Sequence, residues 1–172
     1  MSKHLLSNVA QQSPYMIYFA SAAGSVVFNK SLPVYFIVGS LVSDLINYLL
    51  KKSLQYPLKN QKWAQRPNPS KTGCGMVNSF GFPSGHAQNT SFAAIFWSLY
   101  ILDRQKITTG SIIQVIILWI IAVLVWFSRI QNGCHNLIQV LSGAIIGFFL
   151  GLVYYYLVKN YLLKDNMSQK LL

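Results

Sequence analysis

Five apolar runs separated by short polar links leave this chain few ways to fold. They occupy residues 13–28, 32–50, 87–102, 111–127 and 136–158, and a helix that crosses a bilayer core needs about 20 apolar residues. Such runs exceed what a small soluble core can bury, in a 172-residue chain that is 53% hydrophobic and has only three acids, Asp44, Asp103 and Asp165. The expected fold is all-α, a polytopic membrane helix bundle of about five transmembrane helices. Residues 1–12 read as a polar leader, 13–158 as one membrane domain and 159–172 as a basic tail. The first run has the outline of a cleaved signal, with small residues at 20–25, but its tyrosines and the single lysine before it favour a span.

The formal net charge of +11 raises nucleic acid as a partner. The Lys and Arg residues lie in links between apolar runs, however, without the patch and stacking aromatics of a nucleic-acid surface. The bilayer and its anionic headgroups are the expected partners; the oligomeric state is not legible. Cys74 and Cys134 are too few for a four-ligand metal site. One disulfide, a reactive thiol or two passive small residues all fit, the last being the commonest case. Gly143, Gly147 and Gly151 share one face of the last run, a pattern that lets membrane helices approach closely.

The chemistry-bearing residues cluster at the ends of the runs. Phe82-Pro83-Ser84-Gly85-His86 leads into the third run, where unpaired first-turn N–H groups, the helix dipole and a glycine favour a bound anion. His86 stands beside that anion and can exchange a proton near neutral pH. Residues 51–82 form a long polar stretch with six of the 14 basic residues, among them Lys59 and Arg66; Pro67 and the turns at Asn68-Pro69-Ser70 and Gly73-Cys74-Gly75 would fix its cations in place. Asp44, inside the second run, is costly unless paired; local pairing with Lys51 or Lys52 is the simpler reading, an active-site cation the other. With five spans, Lys59, Arg66, Ser84, His86, Arg129 and His135 all fall on one membrane face. Three cations, a helix mouth and two histidines are what phosphoryl transfer without a metal requires.

Lys59 with six residues before Arg66-Pro67, Pro83-Ser84-Gly85-His86, and Ser128-Arg129 with five residues before His135 resemble the three signature motifs of the type 2 phosphatidic acid phosphatase superfamily. The resemblance covers about residues 32–158. It implies an integral-membrane lipid phosphatase that needs no metal or other cofactor. By the same resemblance His135 is the nucleophile and His86 the acid, then the base. Lys59, Arg66 and Arg129, with Ser84 and the Gly85 amide, hold the phosphate oxygens.

One position departs from that pattern: four residues after the nucleophile, where the superfamily commonly has an acid, stands Gln139. A carboxamide oxygen can fix the imidazole tautomer from the same helix face, as an amide does in papain-like enzymes. His-x-x-x-Gln and Gln88 resemble the dolichyldiphosphatase branch, which removes the terminal phosphate of an isoprenoid diphosphate. That substrate is preferred here over phosphatidate or a lysophospholipid, with a catalytically weak lipid-phosphate-binding relative as the alternative that Gln139 raises. Loop charges do not orient the chain; by analogy the active face is lumenal or exterior, in the endoplasmic reticulum or an equivalent membrane.

Overall fold

The computed structural model describes residues 32–68, 74, 80–104 and 107–162. Among these the chain is all-helical: α1 (Leu32–Gln55), α2 (Gly85–Arg104), α3 (Thr109–Gln131) and α4 (Leu137–Leu157), the last continued by a π-helical turn, Val158–Leu162. The expected first span, residues 13–28, lies outside the described residues. Three helical stretches, Leu32–Gln55, Thr109–Gln131 and Leu137–Asn160, are long and apolar enough to cross a membrane, which fits a membrane protein. Their outward faces carry exposed Val38, Leu45, Ile116, Leu124 and Ile145, whereas the bundle interior holds polar side chains, an arrangement suited to a lipid solvent.

The helix starts follow from local chemistry. Thr108 and Ser111 cap α3 reciprocally, each side chain bonding the other's backbone N–H. Asn136 caps α4 through its side-chain oxygen and the Gln139 amide. At the start of α2 the Ser84 hydroxyl accepts from the Ala87 amide at 3.5 Å. α1 runs about one turn further than the apolar pattern predicts, to Gln55, because Lys51 to Gln55 has no breaker before Pro57.

α2 packs against all three other helices. Its close partner is α4, whose glycines face α2 backbone. A Cβ added at Gly143 would lie 2.3 Å from the Ser84 carbonyl oxygen, at Gly147 2.0 Å from that of Gln88, and at Gly151 2.7 Å from that of Phe92. The small-residue stripe is thus a helix-packing seam, as its spacing predicts. Towards its C-terminal half α2 joins an aromatic cluster: Phe36, Phe92, Phe96 and Tyr155 are buried, with Trp97 and Tyr154 against them.

Candidate active site

The ends of the helices that point away from the aromatic cluster assemble the site. α3 ends at a turn in which Gly133 takes a left-handed φ of 67°, a conformation that costs glycine little. The chain then doubles back, and the amides of Cys134 and His135 both bond to the Arg129 carbonyl, at 3.0 and 3.2 Å. This fold-back brings together two buried residues, His135 and Arg129.

Gln139 is the hub. Its Nε2 donates to the carbonyl oxygens of Trp63 at 2.9 Å and Gln65 at 2.7 Å, while its Oε1 lies 2.9 Å from His135 Nδ1. Carbonyls only accept, so both amide protons are committed to the loop, and Oε1 must be the acceptor towards His135. The proton therefore sits on Nδ1 and the lone pair on Nε2. Asn136 Nδ2 adds a second donor to the Trp63 carbonyl at 2.7 Å, and the Ser84 amide donates to the Gln139 carbonyl at 2.9 Å. One residue thus joins the loop of Arg66, the start of α2 and the His135 ring.

Among the described residues, the charges that act on His135 are positive. Burial, followed by the charges of Arg66 and Lys51, holds its imidazole far below the ordinary histidine range; the Gln139 bond opposes this and Arg129 adds to it. His135 is consequently neutral near pH 7 and able to act as a nucleophile. Arg66 Nη1 donates to the Cys74 carbonyl, and Cys74 is disulfide-bonded to Cys134, the neighbour of His135. The expectation that these cysteines are passive small residues is corrected: they tie the Arg66 loop to the His135 turn.

The structure brings Arg66, Arg129, His135 and Gln139 together and sets Ser84 and Gly85 at the mouth of α2, adjoining them through the Ser84 to Gln139 bond. Ser84 is fully buried and serves as the helix cap. His86 occupies the first turn of α2, half-buried, its carbonyl accepting from Thr90 Oγ1 at 2.8 Å. Lys59 is not among the groups brought together: its side chain is exposed and its amine lies over the Tyr56 ring at 5.0 Å. The loop from Leu58 to Ala64 turns by short-range backbone bonds, so six residues of spacing do not bring Lys59 inward with Arg66.

Sequence reasoning missed Lys51, whose Nζ donates to the carbonyls of Phe80 at 2.8 Å and Gly81 at 3.4 Å. The available signal was the inner stripe of α1, Phe36, Ser40, Ser43 and Asn47, all buried, which at helical spacing continues to residue 51. Asp44 accepts from Asn89 Nδ2, and Lys51 turns to the loop rather than to Asp44. Behind the mouth of α2, Asn47 Nδ2 donates to Gln88 Oε1 at 2.8 Å and Gln88 Nε2 to the Ser43 carbonyl at 2.7 Å. Every polar atom in these bonds is matched, as buried amides require.

A family model described as the PAP2 superfamily matches residues 15–162. The chain belongs to the PAP2 superfamily. This agrees with the three motifs. Among curated relatives, Dolichyldiphosphatase 1 of Dictyostelium discoideum is 34% identical over 133 residues, covering 73% of this chain and 53% of that protein. Lipid phosphate phosphatase gamma of Arabidopsis thaliana is 27% identical over 153 residues, 87% of this chain and 64% of that protein. Phosphatidylglycerophosphatase B of Bacillus subtilis is 32% identical over 102 residues, 59% and 48% respectively. The chain therefore spans between about half and two thirds of the length of these PAP2 relatives. No solved structure matches it.

Proposed function

We propose that this PAP2 chain is a membrane lipid phosphatase that removes the terminal phosphate of an isoprenoid diphosphate, dolichyl or polyprenyl, through a phosphohistidine on His135 and without a metal. The observation that carries the reading is the Gln139 clasp, which leaves the Nε2 lone pair of a neutral, buried imidazole among Arg66, Arg129 and Lys51. That lone pair forms the N–P bond as the P–O bond to the lipid monophosphate breaks. His86 gives its proton to the departing oxygen, then takes one from water as that water attacks phosphorus and the N–P bond opens. Arg66 and Arg129, with the Gly85 amide, hold the equatorial oxygens, the Arg forks suiting paired oxygens. Ser84 contributes by fixing the helix mouth.

Gln139 and the dolichyldiphosphatase name of one relative favour an isoprenoid diphosphate; the other relatives' names keep other lipid phosphates and phosphatidylglycerophosphate in the test. The weak-relative reading loses ground, because a carboxylate at 139 would face two carbonyl oxygens. The family match supports a single domain over about residues 13–158. The disulfide beside His135 favours an active face in an oxidising compartment, such as the endoplasmic reticulum lumen or the cell exterior, at one membrane interface.

The test is phosphate release in detergent with EDTA from isoprenoid diphosphate, isoprenoid monophosphate, phosphatidate, lysophosphatidate and phosphatidylglycerophosphate. Release should favour the diphosphate at least tenfold, about 1.4 kcal/mol in the transition state, and His135→Ala should lower it by ~10⁴-fold or more. Activity that survives His135→Ala, or that EDTA abolishes, refutes the mechanism; preference for phosphatidate refutes the substrate.

A further inference from the structure

We propose that the Cys74–Cys134 disulfide is a positioning element of the phosphate site: it aims the Arg66 guanidinium, so that anion binding and turnover depend on its being intact. The inference rests on the phosphatase reading for the role of Arg66, and on bonded geometry for the rest. Arg66 Nη1 donates to the main-chain carbonyl of Cys74, and Cys74 is joined through sulfur to Cys134. The Cys134 amide donates to the Arg129 carbonyl at 3.0 Å, and His135 follows it directly. One path of bonds thus runs from the side chain of one site arginine to the backbone of the other.

The loop backbone nearer Arg66 is held by other means. The Trp63 carbonyl accepts from Gln139 Nε2 and Asn136 Nδ2, the Gln65 carbonyl accepts from Gln139 Nε2, and Asn68 Nδ2 donates to the Gly133 carbonyl. These bonds reach residues 63, 65 and 68 and need no sulfur. The His135 tautomer, set by Gln139, therefore outlasts the disulfide. Cys74 lies six residues past Asn68, and there the disulfide is the tie back to the His135 turn. Both cysteines are buried, so the Cys74 carbonyl moves with that turn. What the link adds is direction: an arginine fork grips a phosphate well only when its N–H groups point at the oxygens. Reduction by a dithiol breaks the S–S bond with two electrons and two protons, leaving two thiols while the dithiol closes to its own disulfide. The acceptor that aims Arg66 is then released from the His135 turn.

The experiment is a mutant cycle on the full chain in detergent, read by titration calorimetry with methylenediphosphonate, a diphosphate that cannot be cleaved. Cys74→Ala together with Cys134→Ala should weaken binding by about tenfold where Arg66 is present. In Arg66→Met the same pair should change affinity by less than about twofold, since no guanidinium remains to be aimed. Turnover of the isoprenoid diphosphate by the alanine pair should fall by about 10²-fold in kcat/KM. A cross-link that only stabilised the fold would act by the same factor in both backgrounds. Such equality, or unchanged affinity in the alanine pair, overturns the assignment. Wild type reduced with dithiothreitol should match the alanine pair and regain its affinity on reoxidation, and it replaces that pair should the pair not fold. Full affinity with both thiols titrated as free overturns the assignment as well. The two readings fail separately: anion binding that follows the disulfide through Arg66 without any turnover refutes the phosphatase and keeps the tie. Turnover that ignores the disulfide does the reverse.

Discussion

The two ends of α2 are held by opposite means. From its middle towards its C-terminus Phe92 and Phe96 meet each other, Phe36, Trp97, Tyr154 and Tyr155, with ring centroids between 5.3 and 6.2 Å apart. At its N-terminal end Ser84, Gln88 and Asn89 are tied to Gln139, Asn47 and Ser43 by directed hydrogen bonds. Aromatic contacts tolerate small displacements and sum over area. A hydrogen-bond network tolerates little, because each lost partner leaves a buried group unsatisfied. The comparison teaches that stability and reactivity are separately built: one end keeps the bundle assembled, the other keeps one imidazole in one tautomer.

The sharpest challenge to that division is Gln139→Glu. A carboxylate can still accept from His135 Nδ1, but it would lose both donors to the loop and oppose the Trp63 and Gln65 carbonyls. A fall in kcat/KM of about 10³-fold, some 4 kcal/mol, is expected in steady-state assays; activity within fivefold of wild type would show that the clasp does not govern the reaction. Phe96→Ala probes the other end. Removing this fully buried ring should cost about 3 kcal/mol of stability, read by unfolding in mixed micelles, while the folded protein keeps kcat/KM within about threefold. A parallel loss of rate would join the two ends into one unit.

The smallest effect concerns protons. The His135 pKa is depressed in the folded state, so below the ordinary histidine value near 6.5 the unfolded chain binds a proton that the native chain refuses. Stability should therefore fall as pH drops from about 6.5 towards 5, by at most about 1.4 kcal/mol per unit. Thermal melts of wild type and His135→Gln across that range check this, with the variant showing the flatter slope. Identical slopes would mean that His135 is not held neutral.

The sequence made legible whatever depends on order along the chain. Apolar runs located the four described helices to within a few residues, apart from the extra turn of α1. Ser84, His86, Arg129 and His135 stood out as candidates because a polar residue at the end of an apolar run is conspicuous. Spacing failed where the partner is distant or is backbone. That Lys51 turns inward and Lys59 outward depends on which way a helix face and a loop turn, and no motif records that. The double donation from Gln139 was hidden because Trp63 and Gln65 accept through main-chain carbonyls, which are identical in every residue. Cys74 and Cys134 are 60 residues apart, and only the folded loop shows that they meet.

The glycine seam between α2 and α4 has a consequence for the reaction coordinate. His86 rides on one of these helices, and Gln139, which aims His135, on the other. A slip of one residue along the helix axis shifts them by about 1.5 Å, and a misplacement of about 1 Å can cost a reaction 10²-fold. Three missing methyl groups at positions 143, 147 and 151 lock the two rods at a fixed tooth, so the seam works as a vernier that sets where the proposed acid and nucleophile stand along the proposed line of attack.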